Sequence, residues 1–272
     1  MKFSIITATH LRPEKFKQNC LPSILSQTQK DFEWVIVNDG ADGQTRKIVE
    51  SIDSSLTITY IETPHQGLCR ARNLGLEQAA GELVGFLDDD NQFYENYVER
   101  MLSHFEKNSQ ISMAMPIQDR RRDLYESGKL VRKGREFIGP HPEATNEDFV
   151  RGKGIFDSNG FVHKSHQKIR FNVELLIFSD FEYLLQCFSE WGLGSLLLLK
   201  EHLVRYIQTS EGIIGQSKWK DWLREQEYIW HNRSRYEIFS ILDPIDWMPQ
   251  SIESTRKKVQ NHEELPGFSL RQ

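Results

Sequence analysis

Cysteine is scarce in this sequence. Three occur among 272 residues, Cys20, Cys69 and Cys187, far apart and in no C-x-x-C spacing. That excludes a disulfide scaffold, argues against a thiolate zinc site and fits a reducing compartment. Long apolar runs are missing too. The longest lies near Trp191–Leu199, well short of the ~20 residues a spanning helix requires. The start offers one lysine, a short apolar segment and then Thr7-Ala-Thr-His-Leu-Arg12, without the long apolar core and cleavage site of a secretory signal. Basic charge is not in excess: 34 Lys and Arg against 39 Asp and Glu leave a net charge of −5. Nucleic acid is therefore not an expected partner. No repeat or low-complexity tract occurs. The expectation is a cytoplasmic protein of one large or two small domains.

What is present begins with alternation. Phe3–Thr9, Phe32–Asn38, Thr57–Ile61 and Leu83–Leu87 are apolar and β-branched, the pattern of buried strands. Between them lie helical stretches at Pro13–Gln27, where Pro22 should kink the helix or start a new turn, at Gln44–Ile52 and at Gly67–Ala80. The strand ends at Thr9, Asn38, Ile61 and Leu87 are 29, 23 and 26 residues apart. That is the rhythm of βα units joined by right-handed crossovers. The spacing predicts an α/β fold with a mostly parallel central sheet covered by helices. Ligands of such sheets sit at the carboxyl ends of the strands. Those ends carry Thr9-His10, Asp39-Gly40, Thr63-Pro64-His65 and Asp88-Asp89-Asp90, which should cluster in space.

The second half is less regular. Asn96–Lys107 and Phe178–Trp191 read as helices, Ile111–Pro116, Ser195–Leu199 and Leu203–Ile207 as strands. Gln118–Gly152 is polar and reads as a hairpin or loop, with Arg120–Arg122 as a solvated face; His163 and His166 read as surface loop histidines. Ser217–Ser234 is a Trp-rich helix with Trp219, Trp222 and Trp230 on one stripe. A stripe of that kind suits packing, or peripheral attachment to the inner face of a membrane. Beyond Leu242 the periodicity is lost and a loosely ordered tail is expected. The division expected is 1–110, 111–215 and 216–272.

Three adjacent carboxylates repel one another unless a cation is near. Oxygen ligands of this kind suit Mg²⁺ or Mn²⁺ bridging to substrate phosphates. Extension past the strand would send Asp88 and Asp90 to the same side. Asp39, in Val37-Asn-Asp-Gly40, can accept from a nucleobase N–H or simply form a turn. Arg70 and Arg72, two apart on a helix, must face different ways, so that one reaches a pocket while the other is solvated.

Thr7-Ala-Thr-His10, Cys20-Leu-Pro-Ser-Ile-Leu-Ser-Gln-Thr28, Trp34-Val-Ile-Val-Asn-Asp-Gly40, Gly67-Leu-Cys-Arg-Ala-Arg-Asn-Leu-Gly75 and Phe86-Leu-Asp-Asp-Asp90 occur in that order. Together they resemble the nucleotide-sugar half of the family-2 glycosyltransferases, which have the GT-A fold. The resemblance is strong over residues 1–105 and weak over 155–210. It implies an inverting glycosyl transfer from a nucleoside-diphosphate sugar, UDP-linked by default, to a carbohydrate, glycolipid or other hydroxyl acceptor. It implies that Thr7, Ala8 and Thr9 line the nucleoside pocket and that Asp39 contacts the base. Arg72 and Asp89 join the donor pocket, and Asp88 and Asp90 hold the ribose and a Mn²⁺ or Mg²⁺ ion. The general base of the family opens a helix, which points here to Asp180. The chain departs from the family at Asn38, Ser179 and Gln208, where an acid, an acid and a histidine are usual. Those departures keep a second reading in view, a nucleotide-sugar-binding or scaffold protein without catalysis. A haloacid-dehalogenase-like phosphatase is a third, disfavoured because its acidic motif follows the first strand.

Overall fold

The structure, a computed structural model, describes residues 2–53 and 55–263. Strands β1 (Phe3–Thr9), β2 (Phe32–Asp39), β3 (Thr57–Thr63) and β4 (Leu83–Phe86) lie parallel in the order β3-β2-β1-β4. Every residue of β1 and β2 is buried, as near-continuous apolar strands covered on both faces should be. Trp34 anchors this core. Its ring stacks on Phe16 with centroids 5.5 Å apart, and its Nε1–H donates to Thr7 Oγ1 at 3.0 Å.

Helix α1 (Gly43–Glu50) starts at Asp42, whose carboxylate accepts from the Gln44 and Thr45 amides, a side-chain N-cap. Helix α2 (Leu68–Gln78) packs on β1 and β2. Gly75 makes that approach feasible: a Cβ there would stand 2.4 Å from Ile6 Cγ2. Pro22 does not break the first helical stretch. It opens the segment Leu21–Leu25, just after a π-helical turn at Phe16–Cys20, and its missing N–H costs little at a first turn.

The second half extends the same sheet. It adds β5 (Gln92–Phe93), β6 (Met113–Glu126), β7 (Lys129–Arg132), β8 (Glu136–Gly139), β9 (Val162–Lys164) and β10 (Leu196–Thr209). The full order is β3-β2-β1-β4-β9-β6-β10-β5, with β7 and β8 paired on β6. Strand β9 is antiparallel to β4 and β6, while β10 runs parallel to β6. Helices α3 (Tyr97–Lys107) and α4 (Ser179–Trp191) supply large buried faces.

Three expectations are corrected and one is refined. The two strands read at Ser195–Leu199 and Leu203–Ile207 are one, β10, whose register slips around His202. The polar Lys200-Glu-His202 break is a bulge, not a turn, and Glu201 there pairs with Arg100 and His104. In the stretch read as hairpin or loop the hairpin is present, since β6 runs on to Glu126 and pairs antiparallel with β7 and β8; the stretch closes with a short helix, Asn146–Val150, behind a Thr145–Asp148 capping box. His163 is buried because β9 lies inside the sheet; its Nε2 meets the Tyr183 hydroxyl at 2.8 Å, and burial holds it down to about 4. Beyond Leu242 the chain forms helix α6 (Trp247–Gln260), which buries Met248, Ile252 and Thr255 and packs on α5 (Trp219–His231). The remainder of the expected tail, 264–272, lies outside the described residues. The tryptophan stripe of α5 finds partners within the protein: Trp219 lies under Lys258 Nζ at 3.8 Å, and Trp222 edges onto Phe178. Among the described residues no helix is long and apolar enough to cross a membrane.

Candidate active site

The carboxyl ends of β1 to β4 open into one cleft of about 470 Å³. Thr9 and His10 reach it from β1, Asp39 from β2, His65 from the turn after β3, and Asp88 and Asp90 from beyond β4. The opposite wall is built by Ser179 and Asp180 at the start of α4 and by Tyr206–Thr209 of β10. Residues far apart in sequence meet because parallel strands all end on the same edge of the sheet.

Arg72 joins the two walls. It is 2% exposed, and its NH2 group donates to Asp88 Oδ1 at 2.6 Å while NH1 donates to Asp180 Oδ1 at 2.8 Å. Its neighbour Arg70 is exposed, as the two-residue spacing requires. Asn159 completes the hold on Asp88, accepting its amide at 2.7 Å and donating from Nδ2 to Oδ2 at 2.9 Å. Burial would push the Asp88 carboxyl up, but Arg72 and Asn159 outweigh it and keep it below the usual range. Asp180 goes the other way: burial pushes it up against the pull of Arg72, with Asp157 and Asp88 adding repulsion. Asp180 is the second residue of α4, and its Oδ1 is held by Arg72.

Arg12 serves the rest of the triplet. It contacts Asp89 Oδ1 at 2.6 Å and Asp90 Oδ2 at 2.9 Å. Asp89 is fully buried, accepts from Thr9 Oγ1 at 2.8 Å, and is pushed up to about 7 by burial and by its neighbour Asp90, against Arg12. Four carboxylates thus face two guanidinium groups, with Lys15 Nζ 4.0 Å from Asp90. The cluster keeps an excess of anionic oxygen. Its donor set is the hard, all-oxygen kind that fits Mg²⁺ or Mn²⁺.

Asp39 is buried at the end of β2. Its carboxylate accepts from the Gln66 amide at 2.7 Å and from the Gly67 amide and His65 Nδ1, each at 2.9 Å. It therefore sits against the first turn of α2, where a negative charge is favoured. Gly40, with φ of 127°, lets the chain turn away there; a Cβ would stand 2.9 Å from His10 Nδ1.

Of the residues expected at the site, Ala8, Thr9, Asp39, Arg72, Asp88, Asp90 and Asp180 line the cleft. Thr7 does not. Its hydroxyl accepts from Trp34 in the core. Asp89 is fully buried behind the wall and touches the cleft lining through Arg12 and Thr9. Arg120, read as solvated, is buried against Asp157 and lies over the Tyr206 ring at 4.1 Å. Its strand pairs with β10 at Tyr206, which lines the cleft, and the three consecutive arginines conceal that burial. Sequence reasoning also missed Arg12, Asn159 and Tyr206. Arg12 was legible as a cation at the first strand end, opposite an acidic triplet; Asn159 and Tyr206 carry no local signal.

The Glycosyl transferase family 2 model matches residues 4–168. Glycosyltransferase GlyA of Streptococcus pneumoniae is 41% identical over 91 residues, which cover 32% of this chain and 13% of that protein. Poly(ribitol-phosphate) beta-N-acetylglucosaminyltransferase TarS of Staphylococcus aureus is 38% identical over 95 residues, covering 34% of this chain and 16% of TarS. The crystal structure of S. aureus TarS 1–349 in complex with UDP-GlcNAc aligns with a TM-score of 0.65 at 18% identity, over 84% of this chain and 65% of that one. Its complex with UDP also gives 0.65 at 18%, over 100% and 75%. The likeness identifies a GT-A fold. The matched segment spans only 13–18% of the length of the first curated relatives.

Proposed function

Because the chain belongs to glycosyl transferase family 2, we propose that this cleft transfers a sugar from a nucleoside-diphosphate sugar, UDP-linked in first place, to an acceptor hydroxyl with inversion. The observation that carries the reading is the meeting of Asp39, Asp88, Asp90 and Asp180 around one cavity. The UDP and UDP-GlcNAc complexes of TarS, which shares the fold, support uridine as the base.

Asp39 accepts from an N–H of the nucleobase, and Ala8 and Thr9 border the nucleoside. Asp88 and Asp90 hold a divalent cation and the ribose side of the donor. When bound, that Mg²⁺ or Mn²⁺ ion supplies Lewis-acid stabilisation of the departing diphosphate. Asp180 takes the proton of the acceptor hydroxyl as that oxygen bonds the anomeric carbon; the bond to the diphosphate breaks and its electron pair leaves with the phosphate. A carboxylate raised by burial is a better proton acceptor than a free one. Arg72 fixes Asp180 through Oδ1 and ties it to the donor side through Asp88. A single displacement from the face opposite the diphosphate inverts configuration.

The test is release of sugar from UDP-sugars by the purified chain, with Mn²⁺ and with chelator, followed by UDP binding calorimetry. Metal-dependent hydrolysis that Asp180→Asn abolishes while UDP still binds is expected. UDP binding without any turnover would return the non-catalytic reading, and no UDP binding would remove the donor assignment.

A further inference from the structure

Asp180 lies at the start of α4, and the chain leading into that helix is held from outside. Phe178 stands at the N-cap and supplies no side-chain cap. The holding group is Glu225 of α5, which is 1% exposed. Its Oε2 accepts from three consecutive amides, those of Leu176 at 3.0 Å, Ile177 at 2.8 Å and Phe178 at 3.0 Å. Its Oε1 lies 3.1 Å from the Leu176 nitrogen. Successive backbone N–H groups turned to one oxygen make an anion seat, and a negative charge at the start of a helix is favoured. Arg224, 3.2 Å from Oε1, belongs to a side chain 65% exposed, and an exposed cation contributes little. The amides carry the hold on this buried carboxylate.

Two more residues of α5 grip the same segment. Trp222, Glu225 and Tyr228 are spaced by three and share one side of the helix. The Trp222 ring meets Phe178 edge-on at 5.4 Å, and the Tyr228 hydroxyl accepts from Asn172 Nδ2 at 3.0 Å. Helix α2 holds the segment as well: the Cys69 thiol donates to the Leu175 carbonyl at 3.2 Å, and Arg72 donates to Asp180. Leu176 and Ile177 themselves line the cleft, whereas Glu225 does not.

We propose that Glu225 is a positioning residue for Asp180. It fixes the backbone of residues 176–178, and with it the direction in which α4 presents its carboxylate to the cleft. A reacting group misplaced by about 1 Å loses on the order of 100-fold in rate, and a base held from a second element keeps its place through turnover. The effect therefore belongs to kcat. The donor side, built on the ends of β1, β2 and β4, should bind as before. The positioning role rests on the reading of Asp180 as the base; the hold of Glu225 on the three amides does not.

The experiment compares Glu225→Ala, Glu225→Gln and Gln226→Ala in the full chain, by UDP-sugar hydrolysis with Mn²⁺, UDP calorimetry and amide hydrogen exchange. Gln226 is the structural control: it too is buried on α5, but its Nε2 donates to Ser251 of α6 at 2.9 Å. Glu225→Ala should lower kcat by about 10–100-fold, leave the donor KM and UDP affinity within about 2-fold, and speed exchange at Leu176, Ile177 and Phe178. Glu225→Gln keeps an oxygen for the three N–H groups but loses the charge that strengthens them. It should fall between the parent and Glu225→Ala in both readouts, and it carries the test where the alanine variant does not fold. Gln226→Ala should keep kcat whatever it costs in stability. Parent-like kcat in the Glu225 variants, with Asp180→Asn inactive, overturns the positioning role and leaves the base reading standing. Parent-like kcat in Asp180→Asn removes the base reading and the positioning role with it. A kcat loss matched by Gln226→Ala, or a loss confined to the donor KM, reduces Glu225 to a structural part and overturns the proposal, as does unchanged exchange at the three amides.

Discussion

Replacing Arg72 by Met keeps an unbranched stem over Phe171, whose ring centroid lies 4.9 Å from the guanidinium, but removes the charge between Asp88 and Asp180. At an effective dielectric of about 20, a charge pair a few ångströms apart interacts by roughly 4 kcal/mol. Arg72 makes two such contacts and spends part of that gain on its own desolvation. Breaking a buried pair costs about 3–5 kcal/mol; Asp88 and Asp180 are only half-buried, so a loss at or below the lower end of that range is expected at pH 7 in urea unfolding. The pH dependence separates charge from packing. Asp88 titrates below its ordinary value in the folded protein, so its contribution is present above the unfolded pKa of about 3.9 and is lost as pH falls through the lower folded value. Without Arg72 that contribution vanishes, and the unpaired Asp180 is relieved only by protonation. The gap between parent and variant should therefore narrow on acidification. Asp180→Asn in the variant background should restore part of the stability. A variant within about 0.5 kcal/mol of the parent at pH 7, or a gap independent of pH, would refute this account of Arg72.

Two other outcomes follow from the same geometry. The acid limb of the transfer rate should lie above the ~3.9 of a free aspartate, because burial raises Asp180 and the base is lost as pH falls through that raised value; a pH–rate profile with its limb at or below 3.9 contradicts the assignment. Gly75→Ala should destabilise by about 1–3 kcal/mol, since the new methyl meets Ile6 Cγ2; unfolding at an unchanged urea midpoint would show that α2 can lift off β1 freely.

The first half of the fold was legible because β1, β2 and β4 are fully buried. Continuous apolar runs such as Phe32–Asn38, punctuated by Asp39-Gly40, leave few alternatives. The clustering of the strand ends followed from parallel pairing alone. The second half resisted for a physical reason. β6 leaves the core at Asp119 and carries charged residues that are satisfied by tertiary partners, Arg120 by Asp157 and Arg121 by Asp123. Local polarity therefore left hairpin and loop undecided where the sheet continues as a hairpin. α6 hides in the same way, since only Met248, Ile252 and Thr255 are buried and one of the three is polar. Within the cleft, the carboxylates and Arg72 were visible in sequence, but the pairing of Arg12 with Asp90 across 78 residues was not, because nothing local assigns it.

The most direct test of the donor site is an anomalous difference map from crystals grown with UDP and Mn²⁺. The account predicts one manganese peak against Asp90 and Asp88 with the diphosphate on it, and the uracil edge at Asp39. A manganese peak remote from both aspartates, or a nucleotide outside the cleft between β1 and α4, would contradict it.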